Sequence, residues 1–105
     1  MSEALDRLEN IIIERRNGSP DSSYVASLFS KGREKMAQKV GEEATETVIA
    51  ALSGDPAKLT DEAADLLFHL MILLEDGGLS IYDVIDELER REGVSGLAEK
   101  AARPK

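Results

Sequence analysis

Glycine and proline divide this chain into segments whose apolar residues recur every three or four positions. That spacing is typical of amphipathic helices, and no stretch alternates apolar and polar residues as a half-buried strand does. The pattern therefore predicts an all-α helical bundle of about five helices. We expect them at about Glu3 to Arg16, Tyr24 to Phe29, Arg33 to Leu52, Pro56 to Glu75 and Ser80 to Arg91. Residues 1–92 form one predicted domain, and 93–105 are expected to be an irregular tail.

Acidic residues outnumber basic ones, 21 to 13, which gives a net charge of −8. Such a surface repels nucleic acids and anionic membranes, so neither is an expected partner. The chain has no cysteine, and its most apolar run, Leu66 to Leu74, is too short to span a bilayer and is interrupted by His69. Met1 to Arg16 lacks a signal-peptide core. We therefore expect a cytoplasmic protein, whose modest core favours a homodimer or a higher homo-oligomer.

Carboxylates recur at helical spacing in the two longest predicted helices. Glu43 and Glu46 fall on one stripe of the first helix, and Glu62 and Asp65 share a stripe of the second. The apolar residues of the first helix fill a separate arc made of Val40, Ala44, Val48, Ala51 and Leu52. Because only a short turn at Gly54 joins the two helices, an antiparallel hairpin would bring the four carboxylates together.

One carboxylate pair at this spacing is commonly a solvated helix face, but two facing pairs indicate a site. Like charges in such a cluster need a counter-charge. Oxygen-only ligands favour Mg²⁺ or Mn²⁺, and Mg²⁺ often binds carboxylates together with substrate phosphates. The spacing therefore predicts a metal centre that serves phosphate chemistry.

The sequence around these carboxylates resembles that of known enzymes. The runs Lys39–Glu46 and Glu62–Leu70 are similar to the EExxE and ExxD motifs of the MazG-like all-α nucleotide pyrophosphohydrolases. Three further elements resemble the phosphoribosyl-ATP pyrophosphohydrolase family within that superfamily. They are Ser23-Tyr24 leading to Leu28-Phe29-x-x-Gly32, the KxGEE run, and Ser95-Gly96-Leu97-x-Glu99-Lys100.

The resemblance implies hydrolysis of the α–β phosphoanhydride of phosphoribosyl-ATP. This reaction yields phosphoribosyl-AMP and pyrophosphate and is the second step of histidine biosynthesis. The resemblance also implies that Mg²⁺ is bound by four ligands, Glu43, Glu46, Glu62 and Asp65. Glu42, Glu43 and Glu46 are the candidate catalytic residues. Glu42 could orient a water as a base, or it could form a solvent-facing ion pair.

Basic residues near the motif are candidates for binding the substrate. Lys39, one turn before Glu43, could contact a substrate phosphate or simply pair with Glu43. Lys31 and Arg33, together with Lys35, flank the predicted bend before the third helix. They could form a phosphate cradle or remain solvated.

The roles of His69 and Tyr24 each have two interpretations, and Gly41 has an unusual position inside a helix. His69 lies among apolar residues of its predicted helix, which favours a packed or interface imidazole over a catalytic one. Tyr24 could stack on adenine, but the low aromatic content of 4% favours a place in the core. Gly41 lies inside a predicted helix, where glycine costs about 1 kcal/mol relative to alanine. We therefore expect a close approach of two helices at Gly41.

Two other functions remain open from the sequence. A MazG-like house-cleaning enzyme would release pyrophosphate from free nucleoside triphosphates or dUTP. A noncatalytic acidic helical module would bind a partner protein, and its stability would not depend on Mg²⁺.

Overall fold

The computed structural model describes residues 2–93 and confirms an all-α fold. Its helices are α1 Glu3–Arg15, α2 Tyr24–Lys31, α3 Arg33–Ser53, α4 Pro56–Asp76 and α5 Ile81–Arg90, and the described residues contain no strand. Each predicted helix is present close to its expected bounds. The expected tail, with its Ser95–Lys100 run, lies outside the described residues apart from Gly93, and the domain boundary at 92 stays a prediction.

Polar side chains determine where most of these helices begin. Four of them accept a hydrogen bond from a backbone N–H in the first turn of the helix that follows: Ser2, Ser23, Asp55 and Ser80. Ser80 and Asp83 form the predicted capping box at α5. At the end of α3, Gly54 has a φ of 76°, a left-handed conformation that glycine adopts without a steric penalty. The chain reverses there, so α3 and α4 form an antiparallel hairpin.

The hairpin is longer than the core that packs against it. α3 and α4 have 21 residues each, which corresponds to about 30 Å. One core combines residues from all five helices: Ile12, Val25, Leu28, Met36, Met71, Ile72 and Ile81. We call the part of the hairpin around Met36 and Ile72 the core end. None of the helices within residues 2–93 has both the length and the apolar character needed to cross a membrane.

The opposite end of the hairpin, residues 48–59, is here called the tip. Its large apolar side chains face solvent: Val48, Ile49 and Leu52 are 59%, 63% and 84% exposed. Ala50 is the only buried residue of the tip. The apolar arc that the sequence predicts on α3 is therefore left largely uncovered at this end.

Gly41 lies in the interior of α3, but the close helix approach expected there is wrong. A Cβ atom at this position would meet no atom of the described chain within 4 Å, and the residue is exposed. The antiparallel turn after Gly54 is sufficient to bring α3 and α4 together. Within residues 2–93, packing therefore gives no reason for glycine at this position.

Candidate metal centre

Three carboxylates meet midway along the hairpin, between the core end and the tip. One oxygen from each of Glu43, Glu62 and Asp65 lies within 4.8 Å of the other two. Glu43 belongs to α3, whereas Glu62 and Asp65 lie on consecutive turns of α4. The antiparallel pairing of the two helices therefore brings together three of the four carboxylates that the sequence predicts to meet, and Glu46 is not among them. We call these three residues the acidic trio.

The acidic trio contains two buried oxygens that have no hydrogen-bond partner among residues 2–93. Glu43 is only 7% exposed, Glu62 is half-buried and Asp65 is exposed. The Oε2 atoms of Glu43 and Glu62 are buried and make no hydrogen bond within the part of the chain that the structure describes. Leaving a buried polar atom unpaired costs about 1–3 kcal/mol, and more if it is charged. A hard cation with oxygen ligands would offset this cost, so the residues present fit a metal.

Electrostatics support the same interpretation of Glu43. Burial raises the pKa of the Glu43 carboxyl, and the neighbouring Glu46 carboxyl, which is within hydrogen-bonding reach, raises it further. The Lys39 ammonium acts in the opposite direction. Glu46 is exposed and lies outside the acidic trio, but this interaction places it beside Glu43. A bound cation would favour the ionised form of these carboxyls.

Lys39 and Glu42 form an ion pair at the edge of this cluster. Lys39 Nζ lies 3.2 Å from Glu42 Oε1 and 3.6 Å from Glu43 Oε1. Glu42 is exposed and also accepts a hydrogen bond of 2.8 Å from Gln38 Nε2. The hydrogen bonds from Gln38 and Lys39 hold the pKa of Glu42 below its ordinary value. In this structure, Lys39 thus pairs with Glu43, and Glu42 forms the solvent-facing ion pair.

Lys31 and Arg33 lie away from the acidic trio. Arg33 binds the end of α4, with its Nε 2.6 Å from Asp76 Oδ2 and its Nη2 3.0 Å from the Asp76 carbonyl oxygen. It precedes Glu43 on α3 by a distance of about 15 Å along the helix. Lys31 is exposed at the last position of α2. The structure therefore does not bring these two basic residues to the carboxylates.

α2 contributes Tyr24 to the edge of the site. Tyr24 is 50% exposed, so its expected place in the core is wrong. Its hydroxyl oxygen lies 2.7 Å from His69 Nε2, and its ring packs against Phe68 and His69 with centroid distances of 6.3 and 5.6 Å. His69 is only 6% exposed, as expected for a packed imidazole. This contact joins residues 45 positions apart, so helical spacing contains no signal for it.

A cavity of about 340 Å³ lies on the tip side of the acidic trio. Its lining residues are Glu46, Ile49, Ala50, Ser53, Lys58 and Glu62. Two of the predicted metal ligands, Glu46 and Glu62, thus share one concave surface. Lys58, one turn before Glu62, is also in this lining. The sequence does not indicate this role, because a lysine near a helix start is usually solvated.

Comparison with known proteins identifies the family. The family model described as phosphoribosyl-ATP pyrophosphohydrolase matches residues 5–92. The chain belongs to this family. Three curated relatives share the name phosphoribosyl-ATP pyrophosphatase. The relative from Rhizorhabdus wittichii is 63% identical to this chain, and the match covers 100% of this chain and 99% of the relative. The relative from Zymomonas mobilis is 62% identical, with 98% of this chain and 96% of the relative covered. The relative from Dinoroseobacter shibae is 54% identical, with 94% of this chain and 97% of the relative covered.

Membership of the phosphoribosyl-ATP pyrophosphohydrolase family and the acidic trio are both consistent with a divalent metal. The matched region contains the whole hairpin and therefore every carboxylate of the site. It also contains Tyr24 and His69, which join α2 to the site.

Proposed function

We propose that this chain hydrolyses phosphoribosyl-ATP to phosphoribosyl-AMP and pyrophosphate, the second step of histidine biosynthesis. The observation that carries this proposal is the family match over residues 5–92, which includes the acidic trio. Relatives that bear the corresponding name are 54% to 63% identical over nearly their whole length. We also propose the cytoplasmic location expected from the sequence, since nucleotide substrates are available there.

We propose Mg²⁺ as the metal, with Mn²⁺ able to replace it. The acidic trio would bind the ion, and Glu46, beside Glu43, would supply a fourth ligand. An all-oxygen donor set suits Mg²⁺, which commonly combines a few carboxylates with waters and substrate phosphates. When bound, the metal would neutralise charge on the phosphate oxygens and supply an activated water.

The chain's own residues would prepare the site for an anionic substrate. One oxygen each of Glu43 and Glu62, which have no partner within residues 2–93, would bind the cation. Glu42 would act through Lys39, which it holds at the edge of the site. Once Glu43 binds a metal, Lys39 loses part of its attraction to that carboxylate and can bind a phosphate oxygen.

Lys31 and Arg33 are proposed to contact a part of the substrate that lies far from the metal. Arg33 is at the core end and Lys31 is the last residue of α2, two positions before it. The ion pair of Arg33 with Asp76 would have to open for this contact. This assignment supposes that the bound substrate extends along α3 from the acidic trio.

We further propose a homodimer in which a second copy of the chain covers the tip. Three large apolar side chains, Val48, Ile49 and Leu52, lie within two helical turns and are more than half exposed. Such clusters of exposed apolar residues mark interaction surfaces. A second copy would also cover the open side of the cavity that contains Glu46 and Glu62.

A pyrophosphate-release assay tests the proposed reaction. We expect phosphoribosyl-ATP to have a higher kcat/KM than ATP or dUTP in the presence of Mg²⁺. Glu46→Gln should lower that value by at least about 10-fold. Glu34→Gln, at an exposed glutamate in the first turn of α3, is the matched control and should keep full activity. A preference for ATP or dUTP would favour the house-cleaning enzyme, and no release from any substrate would favour the noncatalytic module.

Titration calorimetry tests the metal ligands separately from catalysis. We expect Mg²⁺ to bind the native protein and to bind Glu62→Gln at least about 10-fold more weakly. Glu89→Gln, on the exposed face of α5, controls for the lost charge. Equal affinities in all three proteins would contradict the ligand assignment.

A further inference from the structure

His69 on α4, the only histidine in the sequence, has a hydrogen-bond partner at both ring nitrogens, and one of these contacts reaches α2. Its Nδ1 lies 2.7 Å from the backbone carbonyl oxygen of Asp65, one turn earlier on α4. Its Nε2 lies 2.7 Å from the hydroxyl oxygen of Tyr24 on α2. The imidazole is 6% exposed, so neither nitrogen can readily exchange its partner for water.

These two contacts determine the positions of the protons. A carbonyl oxygen can only accept a hydrogen bond, so Nδ1 of His69 must carry a hydrogen. In a neutral imidazole the other nitrogen is then an acceptor, and the Tyr24 hydroxyl must donate to Nε2. The Tyr24 hydroxyl hydrogen therefore points to His69, and the lone pairs of the Tyr24 oxygen can accept a hydrogen bond from another group.

The same contacts place this oxygen at the edge of the acidic trio. His69 follows Asp65 on the stripe of α4 that also contains Glu62. Burial raises the pKa of the Tyr24 hydroxyl, the Lys39 ammonium opposes this shift, and the charges of Glu43 and Asp65 reinforce it. Through its hydrogen bond to His69, one turn after Asp65, the oxygen lies at the edge of the acidic trio, while half of the tyrosine side chain remains open to solvent.

We propose that Tyr24 is a positioning residue whose oxygen accepts a hydrogen bond from the attacking water, with His69 determining that orientation. This inference rests on the proposed hydrolysis. With its hydrogen directed to His69, Tyr24 offers a neutral acceptor and adds no negative charge to the cluster.

Tyr24 neither forms nor breaks a covalent bond in this scheme. The water oxygen bonds to one phosphorus atom, the bond between that phosphorus and the bridging oxygen breaks, and pyrophosphate leaves with the electron pair. The proton released from the water passes to solvent. The phenol oxygen only restricts the orientation of the water before attack.

The tautomer of His69 can be measured directly, because no other histidine contributes to the spectrum. Tag-free, metal-free protein labelled with ¹⁵N-histidine is measured at about pH 8.5, where an imidazole is ordinarily neutral. Long-range ¹H–¹⁵N correlations distinguish the nitrogens, since Nε2 couples to both ring protons. We expect hydrogen on Nδ1 in the native protein and a changed Nε2 shift in Tyr24→Phe. Hydrogen on Nε2 in the native protein would overturn the proposal.

Kinetics test the role of the oxygen. We expect Tyr24→Phe to lower kcat for pyrophosphate release by about 10- to 100-fold with little change in KM. Tyr82→Phe is the matched control, because that hydroxyl donates to the Ser2 carbonyl oxygen at 3.0 Å and lies outside the site. Thermal melts of both variants report on folding. Equal kcat values for the two variants, or a loss confined to KM, would overturn the inference.

The proposed function itself fails in a different way. If the native protein releases no pyrophosphate from phosphoribosyl-ATP, the hydrolytic role is wrong and the positioning role, which depends on it, is overturned with it. If the native protein is active and only the Tyr24→Phe comparison fails, the hydrolytic role stands and the tyrosine does not position the water.

Discussion

The core end and the tip of the α3–α4 hairpin contain similar apolar residues in different surroundings. Ile72 at the core end is fully buried, whereas Ile49 at the tip is 63% exposed. Both lie on long helices with apolar residues at helical spacing, so local pattern does not distinguish them. The difference is that α1, α2 and α5 supply partners for the core end. An apolar stripe thus shows that a surface is suited to burial, and the tertiary partners determine which part of it is buried.

The acidic trio lies between these two regions and shares properties with both. Glu43 is buried like the core end, while Asp65 is open like the tip. At this position, the packed core end can hold the two helices in register while the site stays accessible. Changes at the two ends should therefore have separable effects on folding and on assembly.

The largest expected effect on stability comes from the core end. Ile72→Ala should lower the free energy of unfolding by about 2–5 kcal/mol, because it leaves a cavity among fully buried side chains. Urea titration measures this change, and it should not depend on protein concentration. Ile49→Ala is the matched substitution at the tip. It should lower the free energy of unfolding by less, and the loss should depend on protein concentration because a second copy of the chain buries this residue in the proposed homodimer. Equal losses of unfolding free energy, both independent of protein concentration, would contradict the proposed difference between the two ends.

At the site between the two ends, a substitution that removes activity should increase stability. Glu43→Gln should lower kcat/KM by about 100-fold or more, since it removes a metal ligand. The same change should stabilise the metal-free protein at neutral pH by about 1–3 kcal/mol, because it removes a buried charge with an unpaired oxygen. A pyrophosphate-release assay and thermal melts in EDTA measure the two effects. If the variant is less stable than the native protein, the ionised Glu43 carboxylate does not destabilise the metal-free fold.

Lowering the pH should have a related effect on the metal-free native protein. Burial raises the folded-state pKa of Glu43, so the folded protein binds a proton more readily than the unfolded chain. The contribution of Glu43 to stability is therefore fully present below its unfolded pKa and is lost as the pH rises through its folded pKa. Melts between neutral pH and the unfolded pKa should show this gain on acidification in the native protein and not in Glu43→Gln.

At the tip, a charge should oppose self-association. Leu52→Glu places a carboxylate on a residue that is 84% exposed, so the isolated chain should keep its fold. In the proposed homodimer it should weaken association at least about 10-fold, which corresponds to about 1.4 kcal/mol. Analytical ultracentrifugation measures the change. Leu79→Glu, at an exposed leucine in the turn before α5, is the control, and an equal effect of both changes would exclude the tip as the interface.

The smallest expected effect is at Gly41, on the exposed part of α3 between the two ends. Gly41→Ala should raise the free energy of unfolding by up to about 1 kcal/mol, because alanine favours a helix and no atom of residues 2–93 blocks its Cβ. Thermal melts at low protein concentration check this result. A loss of stability that grows with concentration would extend the proposed interface from the tip toward Gly41.

Much of the fold could be predicted because its signals are local. The ends of α4 follow from Asp55 and Pro56 at the start and from glycines after Asp76. The acidic trio was predictable as well, because residues three positions apart share a helix face and a short turn pairs adjacent helices. The separation of Lys31 and Arg33 from the trio was not predictable, since it depends on where α2 docks and on a contact between Arg33 and Asp76, 43 positions apart.

The sequence by itself determined the helices, their caps and the two carboxylate stripes, because these depend on interactions within a few residues of one another. Only the tertiary structure decided which apolar residues are covered, that no atom of residues 2–93 packs against Gly41, and that Tyr24 contacts His69. Those outcomes depend on how separate helices pack in three dimensions. Packing is set by the shapes and the burial of many side chains together, and no single segment encodes it.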